Sequence, residues 1–124
     1  MRYSYGLIGV SKARVKGTRG ENAVVDALIR AGFKYAERRA LNGVNDKGDI
    51  TGIPGWVFEV KYHDSYAGKI GGWVDETEVE RLNAKADYGV VWHRRKGKAS
   101  AEEWYVTMSG QQFINMLKEI ENGT

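Results

Sequence analysis

In the run Trp56-Val57-Phe58-Glu59-Val60-Lys61 a carboxylate and an ammonium stand two residues apart, and a further acid, Asp49, lies upstream. Successive side chains of a strand alternate faces, so Phe58 and Val60 are expected in a core while Val57, Glu59 and Lys61 share the other side. Asp49 opens the apolar stretch Ile50 to Ile53, and Pro54-Gly55 is a turn signal that folds the two segments into a hairpin, returning Asp49 towards Glu59. Two carboxylates from adjacent strands, with the main-chain carbonyl of Val60, make an open hard-oxygen shell suited to Mg²⁺ or Mn²⁺. Phosphodiester hydrolysis needs such a cation, an in-line water and positive charge on the phosphorane oxygens. Lys61 would orient the water or neutralise charge on phosphate. Glu21 would add a third carboxylate, directly or through water, although a first-turn helix acid is also explained by the helix dipole. A lone Glu-x-Lys equally describes a surface ion pair of small energetic weight. The upstream acids and nearby basic clusters favour the metal site.

The elements that must position these groups follow from periodicity. Val24, Val25, Leu28 and Ile29 recur at helical spacing between Gly20 and Ala31, and Gly32 ends the segment as a C-cap residue does. Phe33 to Leu41 predicts a first strand, residues 42 to 48 a turn-rich exposed loop, Asp49 to Ile53 a second strand, and Trp56 to Tyr62 a third. Lys69-Ile70-Gly71-Gly72 reads as a mobile loop without a phosphate-cradling fingerprint. Val74 to Ala86 predicts a helix begun by Asp75, with Val79 and Leu82 on one face. Tyr88 to His93 and Trp104 to Met108 complete five strands. Ser109 is expected to cap a last helix with a buried stripe of Phe113, Met116, Leu117 and Ile120. The expected fold is α/β, a central mixed five-stranded sheet flanked by helices, in a single domain spanning residues 1 to 124.

Composition narrows the function classes. Without cysteine there is no disulfide framework or thiolate zinc site, and two histidines leave oxygen as the main metal donor. No apolar run is long enough for a membrane span, and Leu7-Ile8-Gly9-Val10 is too brief for a signal-peptide core, so a cytoplasmic protein with no membrane partner is expected. The net charge is +3, unevenly spread. Residues 1 to 19, read as a basic N-terminal arm with a short strand at Tyr5 to Val10, hold Arg2, Lys12, Arg14, Lys16 and Arg19 and no acid. Arg38-Arg39 and the run Arg94-Arg95-Lys96 form further clusters. With Lys69, these are candidate phosphate contacts to DNA, setting position and affinity without reading bases. The other reading of each cluster is a solvated turn.

On these residues the chain resembles the PD-(D/E)XK nuclease superfamily. Gly48-Asp49 stands where that family has Pro-Asp, Glu59-Val60-Lys61 where it has Glu-x-Lys, and Gly20-Glu21 is similar to the additional acid of archaeal-type and phage Holliday junction resolvases. The resemblance covers about residues 16 to 95 and implies a restriction-endonuclease-like fold and Mg²⁺-dependent DNA cleavage. It assigns catalysis to Glu21, Asp49, Glu59 and Lys61, and the metal to Glu21, Asp49, Glu59 and the Val60 carbonyl. It also implies a homodimer acting on branched or junction DNA in a phage or bacterial host cell. Alternatives are a nuclease of the same fold acting on flaps, nicks or specific duplex sites, and a DNA-binding module that performs no chemistry. Many relatives place a glutamine near the metal from the helix after the core. Glu78 or Glu80 stands in that region, and both read first as ordinary exposed helix acids.

Overall fold

Five strands form one mixed sheet in chain order. The computed structural model describes residues 12 to 40 and 47 to 123, with side chains from residue 17 onward. Strand β1 (Glu37–Arg38) pairs antiparallel with β2 (Ile50–Thr51), and β2 pairs antiparallel with β3 (Trp56–Lys61), with Ile50 opposite Phe58. Strand β4 (Tyr88–His93) runs parallel to β3, from Trp56 beside Tyr88 to Lys61 beside His93, and β5 (Tyr105–Thr107) closes the other edge antiparallel to β4. A parallel pair needs a crossover, and helix α2 (Ile70–Ala84) supplies it. Helix α1 (Lys12–Arg30) precedes the sheet, α3 (Gly110–Asn122) follows it, and a 3₁₀ turn (Ala101–Glu103) lies between β4 and β5.

One side of the sheet carries the apolar core. Val24, Ala27 and Leu28 of α1 pack with Ile50, Phe58, Val60, Val90, Ala101 and Trp104. The predicted alternation along β3 holds, with Phe58 and Val60 in this cluster. Parallel partners share a face, so Val57 and Gly89, Glu59 and Val91, and Lys61 and His93 look the other way, towards α2.

Several expected boundaries move. Residues 12 to 19 continue α1 and are not part of an arm; Ala13, Arg14, Lys16 and Arg19 favour the helix against Gly17, whose cost is about 1 kcal/mol. Residues 1 to 11, including the expected short strand, and residues 41 to 46 lie outside the described residues. The first strand shortens to Glu37–Arg38. The glycine-containing stretch after Lys69 is the first turn of α2, with Lys69 as its N-cap in place of Asp75. That helix presents Thr77 and Glu80 inward and leaves Val79 and Leu82 58% and 62% exposed, the reverse of the expected amphipathic face. Ser109 caps α3 as expected, its hydroxyl accepting from the Gln112 N–H at 3.1 Å. The inward residue of α3 is Gln112, whereas Phe113, Leu117 and Ile120 of the expected buried stripe are exposed and Met116 is half-buried. A Tyr88 hydroxyl donating to Glu119 ties α3 to the sheet.

Candidate metal centre

The hairpin brings Asp49 back to β3 as its sequence predicts. The Asp49 N–H donates to the Phe58 carbonyl at 2.8 Å, and its Oδ2 accepts from the Val60 N–H at 2.7 Å. Position 48 takes glycine for a geometric reason. Its φ is +95°, and a Cβ there would come 2.8 Å from Val57 Cγ1 and 3.0 Å from the Phe58 carbonyl oxygen. Proline, fixed near φ −65°, does not fit this conformation. Val60 itself sits between Glu59 and Lys61 with its side chain in the core.

On the α2 face, Glu59 is 5% exposed, and its Oε2 lies 3.0 Å from Lys61 Nζ. The same ammonium is 3.0 Å from Glu76 Oε1. Glu80, one helical turn on, is 1% exposed, and carboxylate oxygens of Glu59, Glu76 and Glu80 all lie within 4.8 Å of one another. Gly89 lets the helix sit this close, since a Cβ there would meet Thr77 Cγ2 at 2.9 Å. The Thr77 hydroxyl donates back to the Trp73 carbonyl at 2.8 Å and makes no demand on the site.

The electrostatics are those of a site short of positive charge. Burial, then the charges of Asp49 and Glu80, push the Glu59 carboxyl up to about 10 against the opposing pull of Lys61. Burial works against the Lys61 ammonium, but Glu59 and Glu76 outweigh it and hold its pKa above the ordinary value. Glu59 Oε1 is buried with no hydrogen-bond partner among the described residues. The donor set therefore fits a hard divalent cation. Two oxygens bound to one Mg²⁺ at about 2.1 Å each are at most about 4.2 Å apart, so small side-chain rotations close the trio into one shell. Lys61 occupies the bridging position between Glu59 and Glu76 and is the cation that such an ion would displace.

Of the predicted acids only Glu59 belongs to the converging trio; Asp49 is held on the Val60 N–H, and Glu21 stands apart beside Arg38. The Glu21 Oε1 accepts from Arg38 Nε at 2.8 Å. Glu78 is committed to Arg81. Of the two helix acids expected to be exposed, Glu80 is instead fully buried at the site. Glu76 was not singled out by sequence, although its spacing from Glu80 across an inward Thr77 is the signal that would have found it. Compared with protein-family models, curated proteins and solved structures, the chain matches none.

Around the acids stands an aromatic wall. The Trp73 ring lies 5.8 Å from Lys61 Nζ, 5.2 Å from His63 and 6.1 Å from His93. His93 is 2% exposed, its Nε2 is 2.8 Å from Thr107 Oγ1, and burial lowers its pKa, so the ring is neutral at pH 7. The predicted phosphate contacts divide into committed and uncommitted groups. Arg38 pairs with Glu21, and Arg94 pairs with Asp64 while lying 4.6 Å over the Tyr62 ring. Arg39 is half-buried beside β2, its N–H donating to the Asp49 carbonyl at 2.8 Å. Arg19, Lys69, Arg95 and Lys96 are exposed, and Arg14 and Lys16 lie on α1 outside the described side chains.

Proposed function

We propose that this chain is a metal-dependent, structure-selective DNA endonuclease of the PD-(D/E)XK type, with four-way junction DNA as its substrate. One observation carries the reading: buried Glu59, whose Oε1 has no hydrogen-bond partner among the described residues, brings a carboxylate oxygen within 4.8 Å of those of Glu76 and Glu80, beside Lys61. Burying several acids around one ammonium is unfavourable unless they take up a proton, as Glu59 does, or a cation that displaces it. The antiparallel β1-β2-β3 meander followed by a parallel crossover to β4 supports a restriction-endonuclease-like fold. The sequence departs from the resemblance at Gly48, where the φ of +95° requires glycine, while the adjacent acid still reaches β3.

In this reading Glu59, Glu76 and Glu80 hold Mg²⁺ or Mn²⁺, with Asp49 as the neighbouring charge that acts on Glu59. When bound, the ion supplies Lewis acidity towards a phosphate oxygen and a more acidic water. Lys61, released from bridging Glu59 and Glu76, is placed to hydrogen-bond the attacking water or the phosphorane oxygens. Trp73 screens one side of that ammonium from solvent. The Glu21–Arg38 pair fixes Arg38 at the margin of the sheet, where its charge contributes to phosphate attraction. A homodimer would present two such centres to opposing strands.

The test is incubation of the purified chain with a four-way junction, a flap and a linear duplex of matched sequence, with and without Mg²⁺. Paired incisions confined to the junction and dependent on the metal are expected. Intact DNA in every arm, with Mg²⁺ or Mn²⁺ supplied, would remove the proposal.

A further inference from the structure

Where β3 and β4 both end, the loops that follow them enclose a cleft of about 800 Å³. Its walls include Tyr66, Tyr105, Arg95 and Lys96, with Ile70 and Gly71 of the first turn of α2 beside them. We infer that this cleft receives an unpaired nucleotide of the DNA strand that feeds the metal centre. The inference rests on the nuclease reading and names the feature of the substrate that the same site selects.

The volume falls within the range of small-molecule pockets, roughly 300 to 1,000 Å³, and its position beyond the carboxyl ends of parallel strands is where open α/β sheets bind ligands. The chemistry of the walls points to a base joined to a phosphate. Tyr66 is held edge-on by His93 at 4.7 Å and by Tyr105 at 6.2 Å, so its ring is fixed before any ligand arrives. Tyr105 is 41% exposed, and the flat guanidinium of Arg95 lies 5.6 Å over its ring. A planar cation already rests where a planar base would stack. The acid of the cleft, Asp64, is neutralised by Arg94. Neither Arg95 nor Lys96 forms an ion pair with a described residue, which leaves two cations for a phosphate.

A base paired within duplex offers only its edge to a side pocket, whereas an unpaired base offers its face. A line of side-chain contacts also joins the lining of the cleft to the centre. Lys61 Nζ lies 5.8 Å from the Trp73 ring, and Trp73 lies 6.4 Å from Tyr66. A strand with its phosphate near Lys61 therefore reaches the cleft within a few nucleotides.

The test uses DNA carrying 2-aminopurine at successive unpaired positions beside a branch point, with a fully paired duplex as control, in Ca²⁺ or without metal so that cleavage plays no part. The whole chain should quench the fluorophore at one unpaired position and bind that DNA more tightly than the duplex. Tyr105→Ala should lose the quench and about 5- to 100-fold of the affinity for unpaired DNA, the range expected for one stacked base, with duplex affinity unchanged. Tyr105→Phe, which keeps the ring, should retain both. Should Tyr105→Ala fail to fold, Tyr66→Leu takes its place with the same expectation. Equal affinity of the wild type for unpaired and paired DNA, or a quench that survives loss of the ring, overturns the inference. The nuclease reading has its own failure: position-specific stacking without metal-dependent cleavage sinks that reading alone, and cleavage without stacking sinks only the present one.

Discussion

The two faces of the sheet are built on opposite principles. Towards α1, Val24 and Ile50 are fully buried among aliphatic and aromatic neighbours, and every contact lowers the free energy of the fold. Towards α2, the interface buries Glu59, Thr77, Glu80 and His93 beside Val57 and Val91, while the apolar Val79 and Leu82 of the same helix face outward. A helix selected only for stability would be turned round. The contrast teaches that one face holds the domain together and the other spends part of that stability to keep carboxylates, an ammonium and a neutral imidazole in a dry, fixed arrangement.

The largest effect expected from breaking this contrast is on chemistry. Asp49→Asn and Lys61→Met should each lower the single-turnover rate of junction cleavage by roughly 10²-fold or more, with junction binding preserved. Unchanged rates in both variants would show that the acids and the ammonium serve the fold alone. On the apolar face the matching substitution is Ile50→Ala, which should cost about 2 to 5 kcal/mol in urea unfolding, a range set by how far the site collapses, while leaving metal affinity per folded molecule unaltered.

The apolar face was the legible one. Alternation along residues 56 to 61, the turn at Pro54-Gly55 and the run from Tyr88 to His93 each carry a period or a breaker that only one local structure satisfies, and β3 and β4 match their sequence signals closely. The α2 face was illegible for a physical reason. Reading a helix by hydrophobicity assigns Val79 and Leu82 to the interior, and that assignment fails where the inward face carries Thr77 and Glu80. Glu76 and Glu80 meet Glu59 only because Gly89 admits Thr77 at close range, a contact between distant parts of the chain with no local signature. On α3 the apolar stripe is real, but nothing in its period says which surface it meets.

A smaller effect separates the cost of the polar face from its use. Glu59 holds its proton up to about pH 10 when folded and releases it near 4.5 when unfolded, so across that window the folded state binds the additional proton. Stability therefore falls as pH rises through the window, with a slope of at most about 1.4 kcal/mol per pH unit. Glu59→Gln, which mimics the protonated acid, should flatten this dependence and raise stability relative to wild type by about 1 to 3 kcal/mol between pH 7 and 8, measured by urea unfolding in the presence of a chelator. Adding Mg²⁺ at pH 8 should stabilise the wild type by mass action and leave the Gln variant nearly unmoved. A wild type whose stability rises over the same range would contradict the burial of a proton-holding acid.

The smallest effect belongs to the outward side of α2. Leu82→Gln and Val79→Gln remove apolar groups that are already more than half exposed, and surface changes of this kind stay within about 0.5 kcal/mol. Both variants should unfold at the wild-type urea midpoint and cleave at the wild-type rate. The inward neighbour Thr77, on the opposite side of the same stretch of helix, has no such freedom, because it fills the space that Gly89 leaves. A loss of more than about 2 kcal/mol at Leu82 that deepens with dilution would mean that its surface is covered in solution, and would assign the outward face of α2 to contact with a second chain. Insensitivity at Leu82, set beside a large loss of cleavage in Glu80→Gln on the inward side, would establish that a single helix divides its function by face.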